Sequence, residues 1–516
     1  MRRLFSMASG LRNVESIANT SSCVQHHFDS KLNEQASKLF LPVEKLVIGE
    51  LFQLETGALE TMTLDFPTVY VEPPNCSDVF YEKNMEEALQ LLYKRHPTLR
   101  AYFVRDKNGE PMRVYAEETD KIPFERHNLE FTLHSSEFKR FLQTNIQEIY
   151  SQKRLLAKIP SSWHYIQTLD AKALFFYSHH GLIDSQFAEI LVNELHHLCR
   201  KLHENRRITF EEATKNLAKI SSYEEVVRKY WENQSNKRKQ ECLVNYLKPT
   251  FEKLHPEKFG PLLVLPENPE PSQELIFQRS YSDASIQFIH EKNLNTNKIL
   301  RTLFQLALHK VLQVDSPIIP FSKLNGSRPD YMKGVACCYV MEHVFFQELH
   351  SENTLLEQYA VNNTHNKEVM VKFGDLDFEE ALKTLSQNLR KDCMPKICYN
   401  FVPINPPNSK WVFLPELHDE FSDFPSCYNM FFHSYSDQRQ EFYRFVLMYR
   451  TSVYDSLTMT RFMLYIMTAL DNLERLLHTK ICDMTEEKIF NLLLSKNEMK
   501  SGSNSPWVSS QKKFGH

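Results

Sequence analysis

Glycine is scarce in this chain, with 11 residues in 516. Loops that cradle phosphate draw on glycine, and neither G-x-x-x-x-G-K-[ST] nor G-x-G-x-x-G occurs. The G-x-S-x-G elbow and H-E-x-x-H are also missing, and no residues form an obvious metal-ligand set. The 10 cysteines contain no C-x-x-C pair and no dense spacing, which argues against a disulfide framework and for a reducing, intracellular, cytoplasmic setting. Cys337 and Cys338 are adjacent and are expected in a strand, as buried thiols facing opposite ways. Excess charge of either sign is lacking, with a net −4 and a pI near 6.6, so no basic face is available for nucleic acid. No apolar run reaches the roughly 20 residues of a bilayer span, and the late stretch from Phe462 to Leu470 is enclosed by Arg461 and Asp471.

What is present suits a globular protein. The chain is 42% hydrophobic and 24% charged, and its length allows two domains or one large two-lobed body. Aromatic residues reach 12%, which fits a bulky core first and apolar ligands second. Three arginines precede the first acid, Glu15, so residues 1–20 read as a tail, an import presequence or a membrane-surface helix. The last two readings would give peripheral membrane contact or an organellar address.

Residues 1–35 and 496–516 lack periodicity and are expected to be tails, the second disordered. Asn84 followed by Glu87 has capping-box spacing, and Met85, Ala88, Leu89 and Leu92 predict a helix to Arg95, ahead of Pro97. A strand is expected over Leu99–Val104, then a turn at Asn108-Gly109 and a return strand over Met112–Tyr115. Residues 171–178 form an apolar run suited to a buried strand. Phe187, Ile190, Leu191, Leu195, Leu198 and Leu202 line one helix face directly after it. Residues 206–275 turn polar, with Pro266, Pro269 and Pro271, and read as a connecting segment between lobes at 36–205 and 276–495. In the second half, 296–313 predicts a helix and Pro317–Ser322 a strand. Phe445–Arg450 reads as a strand and Leu457–Leu477 as a long helix. No repeat is visible at the residue level.

Two His-x-x-x-Asp matches occur, and with 21 histidines about one is expected by chance. His433 and Asp437 fall in what reads as strand and turn, with Asp437 a solvated turn residue. His180 follows the buried strand and Asp184 precedes the amphipathic helix. A neutral imidazole at a strand end suits a general base near pH 7. On spacing alone, a hydrogen-bonded structural histidine fits equally well.

His179-His180-Gly181-Leu182-Ile183-Asp184 resembles the HHxxxDG motif of the CoA-dependent acyltransferase superfamily. That group includes chloramphenicol acetyltransferase, condensation domains and fungal alcohol acetyltransferases. Arg95-His-Pro-Thr-Leu-Arg100 is similar to its RHPxLR segment. Asn325-Gly-Ser-Arg328 with Gly334 is similar to its crossover segment, and Tyr399-Asn400-Phe401 to its FN strand. The ordered resemblance spans about residues 36 to 480, and by length the fungal alcohol acetyltransferase branch lies nearest. One departure is Ser185, where the family has glycine. The plant motif DFGWG is missing, and Phe373-Gly374-Asp375 reads as a turn.

The resemblance implies an α/β fold of two chloramphenicol-acetyltransferase-like lobes, each a mixed sheet flanked by helices, with a tunnel at their interface. It implies a CoA-dependent O- or N-acyltransferase that uses acyl-CoA, in the acetyl case acetyl-CoA, as co-substrate and needs no metal. His180 would be the general base toward the hydroxyl or amine of an apolar small molecule, with no acyl-enzyme. Asp184 would hold the loop through a salt bridge for which Arg328, from the second lobe, is a candidate partner, and His179 would be structural. Two alternatives stand beside it: a condensation-type enzyme using carrier-protein thioesters, and a non-catalytic binding protein that retains the fold.

Overall fold

The apolar runs of the sequence become the central strands of two mixed sheets in the computed structural model. It describes residues 40–56, 65–72, 79–151, 161–254, 272–314, 316–325, 328–332, 334–335, 337–390, 392–406, 411–417 and 428–499. Residues 1–35, Pro266, Pro269, Pro271, Gly326 and Ser327 lie outside that description, as do Cys23, Cys76, Cys427 and everything from Lys500 onward. The chain divides into two compact units. The first takes residues 1–232, 326–340 and 405–423, and the second takes 233–325, 341–404 and 424–516.

In the first unit the strands are β1 (Asp65–Val71), β2 (Ala101–Arg105), β3 (Pro111–Tyr115), β4 (Phe124–Asn128), β5 (Ser161–Gln167) and β6 (Lys172–His179). The main sheet runs β11-β1-β6-β5-β4, where β11 is Val412–Phe413. Pairing is antiparallel except between β4 and β5. β6 lies inside this sheet and is buried at every position after Lys172, which is the two-faced burial an unbroken apolar run calls for. Ala173, Phe175 and Tyr177 alternate along it into one core, with Val47 and Leu51 of α1 (Pro42–Thr56) and Phe138 and Leu142 of α3 (Ser136–Ser151). α2 (Val79–Arg95) lies between β1 and β2 in sequence, and α4 (Ser185–Glu204) follows β6. The turn at Asn108-Gly109 closes the β2–β3 hairpin with Gly109 at φ +82°, a left-handed position that glycine occupies without strain.

The second unit holds a six-stranded sheet in the order β7-β13-β12-β10-β8-β9. Its strands are β7 (Ser272–Ser280), β8 (Phe321–Asn325), β9 (Met341–Phe345), β10 (Ile397–Ile404), β12 (Met430–Asp437) and β13 (Phe442–Arg450). β10 pairs in parallel with β8 and β12, and the other pairs are antiparallel. The helix Thr296–Lys310 and the helix Ser456–Asp471 supply Leu300, Phe304, Phe462 and Ile466 to its core.

Several local expectations change. The helix to Arg95 starts at Val79, so Asn84 is not a cap. It is 3% exposed, and its side-chain amide donates to the Cys199 carbonyl. A short 3₁₀ turn occupies Pro97–Arg100, moving the next strand to Ala101. The strand expected at Pro317–Ser322 begins at Phe321, because Pro317 and Pro320 have no N–H for a ladder. Cys337 and Cys338 are buried thiols outside any strand. Asp437 is buried, and its Oδ1 accepts from the Arg439 and Gln440 N–H groups, so the turn itself satisfies the carboxylate. Among the described residues, no helix is long and apolar enough to cross a membrane.

Candidate active site

β6 delivers the two histidines in different ways. His179 is the last strand residue, fully buried and paired in register with Asp65. Its carbonyl accepts the Leu182 N–H at 3.0 Å, closing a turn that places His180 and Gly181 at its corners. Gly181 does not take a positive φ. Its reason is proximity: a Cβ there would sit 3.1 Å from Glu44 Cα and 3.1 Å from Val47 Cγ2 on α1.

The half-buried His180 ring is oriented by its own loop. Nδ1 lies 2.9 Å from the Ile183 carbonyl oxygen, which can only accept, so Nδ1 carries the proton and a neutral ring has Nε2 as its basic nitrogen. Cys338 Sγ lies 3.5 Å from the same Nδ1. Burial pushes the Cys338 thiol well up, with Asp184 adding to the shift, so the sulfur stays protonated rather than becoming a rival nucleophile.

Asp184 caps α4, with Oδ1 accepting from the Phe187 N–H at 2.9 Å. Oδ2 accepts from Arg328 Nη2 at 2.7 Å and from the Tyr339 N–H at 3.0 Å. Arg328 also donates to the Val335 carbonyl (3.0 Å), to the Cys337 carbonyl (2.5 Å) and to Cys337 Sγ (3.1 Å). Burial acts to lower the Arg328 pKa, but Cys337 and Asp184 outweigh it and the net shift is upward. The guanidinium lies 5.8 Å from the Phe187 ring centroid. Arg328 and Asp184 belong to the same unit, because residues 326–340 pack with the first unit. Gly334 turns that segment at φ +74°. Ser185 is the first residue of α4 and has no positive φ, so glycine is not demanded there.

Two braces hold the loop from behind, and both rest on acids with no sequence signal. Glu194 on α4 accepts from Arg95 Nε at 2.8 Å and His96 Nε2 at 2.7 Å. Burial lowers the His96 pKa, so its neutral N–H donates. The Glu194 carboxyl stays below its ordinary range although burial alone would raise it, because the His96 bond prevails. The Arg95-His96 pair thus anchors the helix that Asp184 caps. The second brace is Glu44, fully buried, which binds Arg113 at 2.7 Å and the Tyr223 hydroxyl at 2.6 Å directly behind Gly181. Glu194 gains its meaning only once α2 packs on α4 and brings Arg95 and His96 to it.

The other His-x-x-x-Asp match is not a comparable site. His433 and Asp437 share one face of β12, where four residues span about 13 Å. His433 stacks on Tyr435 at 4.1 Å. His197 of the pair 196–197 faces the Ala213 carbonyl at 3.2 Å. Among the described residues, the one His–carboxylate group able to hold a metal is Glu125, His127 and His164, on β4 and β5 rather than beside His180.

Residues 75–322 match the family model described as "Condensation domain", a span that contains both Arg95 and His180. The first condensation domain of the calcium-dependent antibiotic synthetase, in complex with a substrate analogue, superposes with a TM-score of 0.63 at 11% identity. The match covers 84% of this chain and 96% of that one. The chain has the condensation-domain fold. A mutant starter condensation domain of rhizomide synthetase, in complex with C8-CoA and Leu-SNAC, shares this condensation-domain architecture. It aligns with a TM-score of 0.63 at 9% identity, covering 87% of this chain and 97% of that one. The epimerization domain from the third module of tyrocidine synthetase B does so too, with a TM-score of 0.60 and 14% identity over 82% and 95%. No curated protein matches the chain by sequence. A condensation-domain fold therefore carries the loop, and the fold by itself leaves the reaction to the site residues.

Proposed function

We propose that the chain is an acyltransferase in which His180 is the general base. The acceptor hydroxyl or amine gives its proton to Nε2 as its oxygen or nitrogen attacks the thioester carbonyl. The tetrahedral adduct then collapses, the C–S bond breaks, and the imidazolium returns its proton to the leaving thiolate. No bond to the enzyme forms. The observation that carries this reading is the contact of His180 Nδ1 with the Ile183 carbonyl, which assigns the basic lone pair to the other ring nitrogen. Asp184 is committed to Arg328, Tyr339 and the cap of α4, so its role is to position the loop. His179, fully buried in β6, supports the strand end.

The donor in this proposal is an acyl-CoA, which the C8-CoA complex of the rhizomide starter domain supports by analogy. The acceptor is an apolar alcohol or amine, and an acetyl group is the acyl unit favoured by the resemblance to alcohol acetyltransferases. A second donor class, carrier-protein thioesters, is favoured by the number of neighbours named as synthetase domains.

The test is thiol release by the purified chain from acetyl-CoA, C8-CoA and an acyl-phosphopantetheinyl carrier, across a panel of alcohols and amines. His180→Ala should lower turnover by about 10²–10⁴-fold, the usual contribution of a positioned base, without unfolding the protein. Turnover at the wild-type rate in that variant would remove His180 from the mechanism. Release from the carrier and not from CoA would move the donor to the second class.

A further inference from the structure

The edge of the first unit's sheet carries a group of side chains that acyl transfer does not use. Among the described residues β4 is the terminal strand of that sheet and pairs with β5 alone, in parallel. Glu125 and His127 stand two residues apart on β4 and so share a face. The register sets Glu125 opposite His164 of β5. His127 Nε2 and His164 Nδ1 are 3.1 Å apart. A Glu125 carboxylate oxygen lies 3.6 Å from the first nitrogen and 3.9 Å from the second. All three ligand atoms lie within 4.8 Å of one another.

We propose that Glu125, His127 and His164 form a binding site for a divalent transition metal of the zinc class. Tetrahedral zinc with bonds of about 2.0–2.1 Å puts neighbouring ligand atoms about 3.3 Å apart, so the two nitrogens already stand at nearly that spacing. The carboxylate is slightly too far away, but its side chain is 45% exposed and can swing inward. Two imidazoles with one carboxylate select zinc-like ions over calcium or magnesium, which prefer oxygen ligands.

The two rings are already held in position. His164 is 2% exposed at its side chain, and its Nε2 lies 3.3 Å from the Ser162 hydroxyl. That bond on the far nitrogen leaves Nδ1 as the ligating atom, the arrangement by which metal-binding histidines are usually oriented. The His127 ring packs edge-on against Phe141 at 5.0 Å and lies nearly parallel to the His164 ring.

Three protein ligands would leave zinc's fourth tetrahedral position to water. On β5, His164 pairs with Phe175 of β6, four residues before His179. That is about 13 Å along the strand, so the ion acts as a clip on the edge strand rather than as a partner in the chemistry at His180. The site does not depend on the acyl-transfer reading.

The test uses the full chain, without a histidine tag, stripped with chelator and titrated in separate samples with Zn²⁺ and with Co²⁺. Calorimetry should show one equivalent bound, cobalt should give the intense visible bands of tetrahedral coordination, and the melting temperature should rise with free Zn²⁺. Glu125→Gln alters an exposed side chain and His127→Asn a partly buried one; each should weaken binding at least tenfold, and the first should leave the metal-free melting temperature in place. If one of them fails to fold, the other still decides the matter. No binding up to about 100 µM Zn²⁺, or binding that neither variant weakens, would overturn the proposal and leave a hydrogen-bonded histidine pair.

Discussion

Removing the Asp184 carboxylate tests the loop most directly. Asp184→Ala strips Arg328 of its carboxylate partner at 2.7 Å and leaves the Tyr339 and Phe187 N–H groups without their acceptor. The two side chains are 6% and 9% exposed, so solvent does little to replace the lost interaction. Breaking a buried pair from one side costs about 3–5 kcal/mol, and a lost helix cap accounts for about 0.5–2 of that, since the terms overlap. Arg328 keeps the Val335 and Cys337 acceptors, which favours the lower half of the range. At about 2–4 °C per kcal/mol for a domain of this size, the melting temperature should fall by about 6–16 °C. Asp184→Asn, which can still cap α4, should fall by less. The assay is thermal unfolding of the full chain with activity measured below the transition. An Asp184→Ala protein that melts with the wild type would show that the pair contributes nothing. One that is fully stable yet inactive would argue for a catalytic role for Asp184.

Three further outcomes can be measured with the same tools. Gly181→Ala inserts a Cβ 3.1 Å from the α1 backbone at Glu44, so it should cost about 1–3 kcal/mol of stability and lower turnover by displacing His180; unchanged melting and turnover would mean α1 yields freely. In the second unit, burial, with Lys323 adding to it, lowers the His343 pKa to about 4 from 6.5. The unfolded chain binds the extra proton first, so this histidine's contribution is present above pH 6.5 and is lost on acidification toward pH 4, up to about 3 kcal/mol. His343→Asn should flatten that part of the melting-temperature profile, and an unaltered slope would refute the assignment. Arg301 is 1% exposed, its Nε and Nη2 find no hydrogen-bond partner among the described residues, and its guanidinium lies 5.0 Å from the Phe345 ring centroid. Arg301→Met should therefore leave stability unchanged or raise it, and a loss of more than about 2 kcal/mol would show that the charge is compensated after all.

The site was legible where local order carried it, and illegible where it depends on packing. The β6 run, the amphipathic face of α4 and the turn at Gly109 all follow from periodicity and glycine placement. The partnership of Asp184 with Arg328 came only through the resemblance, because 144 residues of sequence separate the two. Glu44 and Glu194 carried no signal, since a lone acid acquires meaning only from what packs against it, and Cys338 read as a buried thiol with nothing to link it to His180. Asn84 shows the reverse error: a residue with good capping chemistry and spacing is instead spent on the Cys199 carbonyl between two helices. The Glu125–His127–His164 group was equally hidden. Its i, i+2 pair is unremarkable until parallel pairing sets His164 beside it.

The two His-x-x-x-Asp matches show why spacing could not decide between them. In β12 the pleat keeps residues 433 and 437 on one face but about 13 Å apart, too far for either to orient the other. At the end of β6 the chain instead turns back at Gly181, and residue 184 becomes the cap of the next helix. The two side chains then serve one loop from opposite sides. Asp184 draws in Arg328 and the Tyr339 backbone, which places Cys338 against Gly181 through its N–H and against the His180 ring through its sulfur. The Ile183 carbonyl, one residue before the cap, then sets the ring's tautomer. The carboxylate reaches the imidazole through this backbone, so the motif's meaning lies in the turn between its two lettered residues.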